Sequence, residues 1–232
     1  MKVLALHGKS QNGEVFRTRL GRLPTKLKAN MCIPDGPVEL EINDGDTLSM
    51  RAWFTRDNSG KTEKASLDDA LAYIDDIILT HGPFDVILGF SQGACMAAYI
   101  LRYRPALRAS MVAAILVASP DIDIGDVEID TIPSLHIMGS ADRIVSISSS
   151  QSLASKFINS EVIMHKNGHC LPSQAAFLNR IADFVHSSKA SYASSSVAAL
   201  PPPALSMTQQ ALPPPAPCAT GPARVSSQEN AD

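Results

Sequence analysis

The sequence predicts an α/β domain with a mostly parallel sheet and helices on both faces. Residues 1–187 alternate between short apolar runs and segments in which apolar residues recur at helical spacing, the pattern of strands joined by crossover helices. Residues 112–118 are apolar at every position, as a strand covered on both faces requires. Residues 188–232 differ, because they hold eight of the chain's 16 prolines and a single aromatic residue. We therefore predict one α/β domain over residues 1–187 and a disordered Pro/Ala/Ser-rich tail over residues 188–232.

The individual elements follow from the same pattern. Apolar runs predict strands at residues 3–6, 31–33, 85–90, 112–118, 134–138 and 161–164. Apolar residues at helical spacing predict helices within residues 16–27, 66–81, 94–101, 151–157 and 178–185. Pro24 should kink or shorten the first helix, and Ser66-Leu67-Asp68-Asp69 resembles a capping box at the start of the second. The segment 38–64 is acidic and irregular, and no element is predicted there.

Composition and charge limit the function classes. The formal net charge of −3 gives no general affinity for nucleic acid or for an anionic membrane, and the seven Lys/Arg within residues 1–30 are interpreted as a solvated face. No apolar run approaches the ~18–20 residues that a membrane span needs. The apolar start at residues 1–6 is too short for a signal peptide, so a cytoplasmic protein is expected. The cysteines lie far apart and are expected to be unpaired thiols: Cys32, Cys95, Cys170 and Cys218.

Gly89-Phe90-Ser91-Gln92-Gly93 is the most informative motif of the chain. It is a G-x-S-x-G pentapeptide between a predicted strand and a predicted helix, which is the arrangement of a nucleophile elbow. The turn holds the serine in a strained backbone conformation, and side chains at positions 89 and 93 would crowd it. Ser91 is therefore the candidate nucleophile.

A serine hydroxyl needs a base to take its proton, and that base needs an orienting partner. Asp142 follows the strand at 134–138, so it is delivered to the same sheet edge as the elbow and is the candidate acid. His169 lies in the loop after the last strand, from which an imidazole can reach over Ser91, and is the candidate base. His165, at the end of that strand, is its main alternative. The rivals of Asp142 share one acidic loop and are interpreted as solvated: Asp121, Asp123, Asp126 and Asp130.

An oxyanion hole is also expected, because the tetrahedral intermediate concentrates charge on one oxygen. One donor should be the backbone N–H of Gln92, the residue after the nucleophile. The other should come from the loop after the first strand, where Gly8 allows a close approach. The N–H of Lys9 is the preferred candidate there, and that of Ser10 is the alternative.

Five motifs occur in one order along the chain: Leu6-His7-Gly8-x-x-Gln11-Asn12, Arg51-Ala52-Trp53-Phe54, Gly82-Pro83-Phe84-Asp85 leading into the elbow, Gly139-x-x-Asp142, and Gly168-His169-x-x-Pro172. Together they resemble the FSH family of serine hydrolases, which includes fungal polyketide-releasing thioesterases, and the likeness covers about residues 2–186. The resemblance implies an α/β-hydrolase fold and Ser91, Asp142 and His169 as a catalytic triad. It also implies hydrolysis of small-molecule carboxylic esters or acyl thioesters, with no metal or cofactor. The chain departs from the family pattern at Asn167, where a glycine is usual, and at Lys9, where an aromatic or apolar residue is common.

Other interpretations stay open. One is an acyl-carrier thioesterase that releases a biosynthetic, polyketide-like product. Another is a non-catalytic binding protein with a hydrolase fold, since the proline runs at 199–204 and 211–216 could bind an SH3- or WW-type partner. Trp53 and Phe54 either line an acyl pocket or anchor their segment onto the sheet.

Overall fold

The structure, a computed structural model, describes residues 1–41, 49–125 and 128–198. Its strands, in chain order, are β1 (Lys2–Leu6), β2 (Asn30–Cys32), β3 (Val38–Leu40), β4 (Met50–Ala52), β5 (Val86–Phe90), β6 (Ala113–Val117), β7 (Ser134–Gly139) and β8 (Ser160–His165). Its helices are α1 (Gly13–Leu20), α2 (Leu23–Leu27), α3 (Lys64–His81), α4 (Gln92–Tyr103), α5 (Pro105–Ser110), α6 (Ile147–Ala154) and α7 (Ala175–Ala198).

Six strands form one parallel sheet in the order β2-β1-β5-β6-β7-β8. The strand order changes direction at β1, because β2 lies on one side of β1 and the later strands follow one another on the other side. All six strands are parallel, because each connection crosses over the sheet through helical or loop segments. The register aligns the carboxyl ends of the strands: Leu6 of β1 lies beside Gly89 of β5, and Gly139 of β7 lies beside His165 of β8. The loops that follow these strands therefore meet at one edge of the sheet.

The sheet is covered on both faces, as the sequence predicts. Side chains alternate along each strand, so Val3 and Ala5 of β1 face one hydrophobic core and Leu4 and Leu6 face the other. Helices α1, α2 and α7 pack on the first face, and α3, α4 and α6 pack on the second. This two-sided burial explains why β5 and β6 are buried at every position.

The start of the first helical segment follows its local sequence. Asn12 caps α1, since its side-chain oxygen accepts the N–H of Val15 at 2.9 Å. The helix ends at Gly21, whose φ of 50° is in the left-handed region. Pro24 lies in the first turn of the separate helix α2, where its missing N–H costs nothing. The predicted interruption of this segment at Pro24 is confirmed.

Two features of the 38–66 region differ from prediction. Strands β3 and β4 form an antiparallel pair, with Val38 opposite Ala52, in a segment for which no element is predicted. The capping box predicted at Ser66 is wrong, because α3 begins at Lys64 and has no side-chain cap. The Ser66 hydroxyl instead accepts the backbone N–H of Thr55 at 2.9 Å and joins the helix to the chain that precedes it.

Helix α7 extends beyond the predicted domain boundary. It continues to Ala198, so residues 188–198, which composition assigns to a disordered tail, are helical. The Ala- and Ser-rich sequence there has little apolar periodicity, which is why the pattern ends at 185 although the helix does not. The proline runs lie outside the described residues, and disorder over 199–232 stays a prediction.

Two further features of the described residues are the state of the cysteines and the length of the apolar helices. Cys32, Cys95 and Cys170 are free thiols, as predicted, and Cys218 lies outside the described residues. Among residues 1–41, 49–125 and 128–198, no helix combines the length and the apolar character that crossing a bilayer requires.

Candidate active site

Ser91 occupies a sharp turn between β5 and α4. Its φ of 53° and ψ of −117° lie outside the regions that non-glycine residues favour, which is the strained geometry predicted for the elbow. Its backbone N–H donates to the carbonyl oxygen of Val117 on β6 at 2.8 Å. The serine side chain is half-buried at the sheet edge where the strand ends converge.

The two glycines of the motif are required by close packing. A Cβ atom at Gly89 would lie 2.4 Å from the carbonyl oxygen of Gly93. A Cβ atom at Gly93 would lie 2.1 Å from the carbonyl oxygen of Leu6 and 2.5 Å from that of His7. The first turn of α4 therefore rests directly on the end of β1, and only glycine permits that approach.

Asp142 and His169 are brought together by the loops after β7 and β8. His169 Nδ1 lies 2.7 Å from Asp142 Oδ2, a short hydrogen bond between a carboxylate and an imidazole. The two loops meet because β7 and β8 are neighbours in register, and Ala141 N–H donates to the carbonyl oxygen of Asn167 at 3.3 Å. Asn167 serves this contact through its backbone.

The Asp142 carboxyl is almost fully buried and is held by several donors. Its side chain is 2% exposed, and its Oδ1 accepts the backbone N–H groups of Ile144 and Val145 at 2.8 and 2.9 Å. Burial raises the pKa of this carboxyl, but the hydrogen bonds from Val145, His169 and Ile144 outweigh burial and leave the pKa below its ordinary value. Asp142 is therefore an ionised, oriented partner for the imidazole at neutral pH.

The His169 ring contacts the residue that precedes the nucleophile, and no hydrogen bond joins it to Ser91. Its ring is packed against Phe90, with 4.9 Å between ring centroids, and Phe90 immediately precedes Ser91. No hydrogen bond joins the Ser91 hydroxyl to any residue of the described chain. Catalytic hydrogen bonds of this kind are often long in substrate-free enzymes and shorten when substrate binds.

The alternative base, His165, has a buried imidazole that packs within the domain. His165 is buried at the end of β8, where its Nδ1 accepts the N–H of Asn167 at 3.2 Å. Its Nε2 is buried and has no hydrogen-bond partner among the described residues. Burial lowers the pKa of His165. Its ring packs edge-on against Phe177 of α7, so it belongs to the packing beneath the His169 loop.

The rival acids have structural partners away from the imidazole. Asp121 accepts the hydroxyl of Ser152 at 2.6 Å and pairs with Lys156 at 2.9 Å. Asp123 accepts the N–H of Gly125, and Asp130 is an exposed partner of Arg108. Asp126 lies outside the described residues.

The backbone N–H groups of Lys9 and Gln92 both lack an acceptor within the described chain. The amide of Gln92 is free because it lies in the first turn of α4. In the loop after β1, the N–H of Ser10 donates to Arg51 O at 2.9 Å, and that of Gly8 approaches Gln11 Oε1 at 3.4 Å. The alternative donor Ser10 is thus already engaged, whereas Lys9 is not.

The side chain of Gln92 has a role that sequence reasoning missed. It is 7% exposed, its Oε1 accepts the N–H of Trp53 at 3.0 Å, and its Nε2 donates to the carbonyl oxygen of Phe54 at 2.7 Å. This pair of bonds fastens the chain after β4 to the first turn of α4. The sequence signal for it is weak, since a polar residue after the nucleophile is also compatible with an exposed side chain.

His7 and Trp53 complete that attachment. Trp53 is buried and its indole N–H donates to the carbonyl oxygen of His7 at 2.8 Å, so Trp53 anchors its segment, one of the two predicted alternatives. Since His7 Nε2 accepts the N–H of Gly36 at 2.8 Å, its Nδ1 carries the proton and donates to the carbonyl oxygen of Gly8, also at 2.8 Å. Burial lowers the pKa of His7 and keeps the ring neutral.

Two cavities of the described chain lie away from the candidate triad. One of about 800 Å³ lies between α3 and α4, and another of about 800 Å³ lies beside β3 and the start of α3. A smaller cavity of about 250 Å³ borders Phe90 and Cys170, the neighbours of Ser91 and His169. Within the described ranges, no group of three or more His, Cys, Asp or Glu side chains could hold a metal ion.

Comparison with known proteins agrees with this geometry. Residues 1–181 match the family model described as "Serine hydrolase (FSH1)". The chain belongs to this family. It is 34% identical over 201 residues to "Esterase OVCA2" of Xenopus tropicalis, covering 75% of this chain and 87% of that protein. It is 31% identical over 194 residues to "Esterase CG5412" of Drosophila melanogaster, covering 75% and 70% of the two chains. The predicted resemblance to FSH serine hydrolases is confirmed.

Solved structures confirm the α/β-hydrolase fold. The Bacillus cereus carboxylesterase superimposes with a TM-score of 0.60 at 21% identity, over 80% of this chain and 87% of that one. Acyl-protein thioesterase 2 of Zea mays superimposes with a TM-score of 0.60 at 20% identity, over 81% and 93% of the two chains. Family and fold together place this chain among the serine hydrolases with an α/β-hydrolase fold.

Proposed function

We propose that the chain hydrolyses carboxylic esters or acyl thioesters of small molecules through Ser91, His169 and Asp142. The observation that carries this proposal is the 2.7 Å hydrogen bond between His169 and a buried, ionised Asp142, at the sheet edge that also presents the strained Ser91. Nucleophile, base and acid follow in the chain order of α/β-hydrolases.

Each residue has a defined task in this mechanism. Asp142 accepts Nδ1–H of His169, which leaves Nε2 as the basic nitrogen toward Ser91. Ser91 Oγ bonds to the acyl carbon while its proton passes to Nε2, and the Asp142 carboxylate stabilises the resulting imidazolium. The ester C–O or thioester C–S bond then breaks as His169 protonates the leaving group. Water, deprotonated by His169, releases the acid and restores Ser91.

The backbone amides of Lys9 and Gln92 are proposed as the oxyanion hole. Both N–H groups lack an acceptor in the described chain, and they belong to the two segments that meet where Gly93 rests on β1. Donors fixed in place before the reaction stabilise the oxyanion more than water does, because they need no reorganisation as charge develops.

A cytoplasmic location is part of the proposal. The free thiols of Cys32, Cys95 and Cys170 are compatible with a reducing compartment. An SH3- or WW-type partner for the proline runs of the tail also remains a proposal, since both runs lie outside the described residues.

A fluorophosphonate probe tests the nucleophile directly. The wild-type protein should be labelled at Ser91, and Ser91→Ala should abolish both labelling and the hydrolysis of a 4-nitrophenyl ester, since loss of such a nucleophile costs on the order of 10⁶ in kcat. Ser110→Ala, which alters an exposed serine on α5, should be labelled as the wild type is. Labelling that persists in a folded Ser91→Ala variant would contradict the assignment. A matched ester and thioester series then defines the preferred bond.

A further inference from the structure

The 250 Å³ cavity beside the elbow is a candidate site for part of the substrate. Its volume corresponds to about eight water molecules at ~30 Å³ each, which is enough for a short carbon chain with a polar end. Half of its lining residues are aromatic or aliphatic, and one is a cation: Phe16, Arg19, Phe90, Cys170, Leu171 and Ser173. Such a composition fits an apolar linker that ends in an anion.

The cavity lies on the imidazole side of the nucleophile. Phe90 precedes Ser91 and packs against the His169 ring, and Cys170 follows His169 in the chain. In the proposed mechanism His169 delivers its proton to the leaving group. A leaving alcohol or thiol protonated by the imidazole would therefore be the part of the substrate nearest to this cavity.

Arg19 supplies an uncommitted positive charge at the cavity. It is exposed on α1 and makes no hydrogen bond or ion pair with any described residue. Burial raises the pKa of the Cys170 thiol, and the charge of Arg19 acts in the opposite direction, which places the guanidinium near that end of the cavity. Arg17, two residues earlier, acts instead on the thiol of Cys32, whose pKa its charge lowers against the effect of burial. The two arginines thus point to different surroundings.

We propose that Arg19 binds an anionic terminus, a carboxylate or a phosphate, on the leaving alcohol or thiol of the substrate. The planar guanidinium can donate two parallel hydrogen bonds to either anion, while Phe16, Phe90 and Leu171 cover the carbon chain between the anion and the scissile bond. In the reaction the acyl–oxygen or acyl–sulfur bond breaks, the leaving atom takes the proton from His169, and the acyl group moves to Ser91. The inference rests on the proposed function and adds a substrate class to it.

Matched esters test this assignment with the full-length protein. The acyl group is kept as butyryl, and the alcohol is 4-hydroxybutanoate, its neutral amide 4-hydroxybutanamide, or 3-hydroxypropyl phosphate. The spacer of three methylene groups keeps the intrinsic reactivities of the first two esters close. The measured quantity is the ratio of kcat/KM for each anionic ester to that for the neutral amide, in the wild type, Arg19→Met, Arg19→Lys and Arg17→Met.

The wild type should prefer an anionic ester by about five- to tenfold, the range for a charged hydrogen bond at a site open to solvent. Arg19→Met should bring the ratio near one, mainly through KM, and Arg19→Lys should give an intermediate ratio because it keeps the charge without the fork. Arg17→Met should keep the wild-type ratio. The anion with the larger ratio identifies carboxylate or phosphate as the preferred terminus.

Two results would overturn the inference alone: a wild-type ratio near one, or a ratio that Arg19→Met leaves unchanged, in proteins that hydrolyse the neutral ester. An equal loss of ratio in Arg17→Met would also overturn it, because the effect would then reflect general surface charge. Failure of the wild type to hydrolyse any of the esters or 4-nitrophenyl butyrate would instead overturn the proposed function, and the inference with it.

Discussion

Replacement of Gln92 by methionine tests whether its side chain holds the elbow in place. Methionine has nearly the same length and volume as glutamine but cannot form the bonds to Trp53 N–H and Phe54 C=O. Both backbone groups belong to buried residues, and replacing Gln92 leaves each of them without a partner. Gln92→Met should therefore destabilise the protein although the packing volume is preserved.

The size of the effect follows from the number of unsatisfied groups. A buried backbone donor or acceptor without a partner costs about 1–3 kcal/mol. Two such groups predict a loss of about 2–6 kcal/mol in the free energy of unfolding, reduced to the extent that water enters the site. This is a large fraction of the stability of an ordinary domain.

Urea unfolding followed by fluorescence measures the loss. Trp53 is the chain's sole tryptophan, so its emission reports on the same segment that Gln92 holds. The emission of folded Gln92→Met should shift to the red as the indole environment becomes wetter, and fluorophosphonate labelling should slow. Gln151→Met on α6, where the side chain is exposed, is the matched control and should change stability by less than about 0.5 kcal/mol. A Gln92→Met variant as stable as that control would refute the reasoning.

Two further predictions concern ionisable side chains. Asp142→Asn should keep the fold but present an amide N–H to His169 Nδ1, which stabilises the wrong tautomer; the fluorophosphonate reaction rate should fall roughly 10³–10⁴-fold, while Asp130→Asn should react normally. A rate within tenfold of wild type would exclude Asp142 as the orienting acid. Burial lowers the pKa of His136 to about 4. The folded state therefore binds fewer protons than the unfolded chain, whose histidine titrates near pH ~6.5. The contribution of neutral His136 to the free energy of unfolding is present above that pH, and about 3 kcal/mol of it is lost as the pH falls toward about 4. In urea unfolding between pH 7 and pH 4.5, His136→Gln should reduce the slope of the unfolding free energy against pH, whereas His81→Gln, at an exposed position, should keep the wild-type slope. Equal slopes in the wild type and both variants would contradict the assignment.

The strongest sequence signals are those that tertiary contacts reinforce. Strands β5 and β6 are buried at every position, so each is a continuous apolar run that predicts a strand without knowledge of its neighbours. Asp142 and His169 are 27 residues apart, yet their meeting could be expected because parallel strands deliver their following loops to one edge. The 2.7 Å contact between them is a consequence of topology and register as much as of residue type.

The errors lie where local sequence carries little information. β3 and β4 are three-residue strands that pair with each other outside the main sheet, so neither shows an apolar run. Ser66 has the residue type of a helix cap, but its hydroxyl is used by Thr55 N–H, a contact that depends on the chain before the helix. Local propensity is a weak guide at such positions, because a tertiary hydrogen bond contributes as much free energy as the propensity does and can decide which structure forms.

The attachment of Trp53 explains how the strain at Ser91 is maintained. A non-glycine residue in this conformation costs about 1–3 kcal/mol, and it persists only if the surroundings fix it. Here the Ser91 N–H is bonded to β6, Gly93 rests on the carbonyl oxygens at the end of β1, and the Gln92 side chain is bonded to the segment that Trp53 anchors. Trp53 therefore serves the site without lining it, because its indole ties that segment to His7, directly before the proposed oxyanion loop. Loosening this attachment should lower stability and the reactivity of Ser91 together, whereas a residue that only lines a pocket would change substrate preference alone.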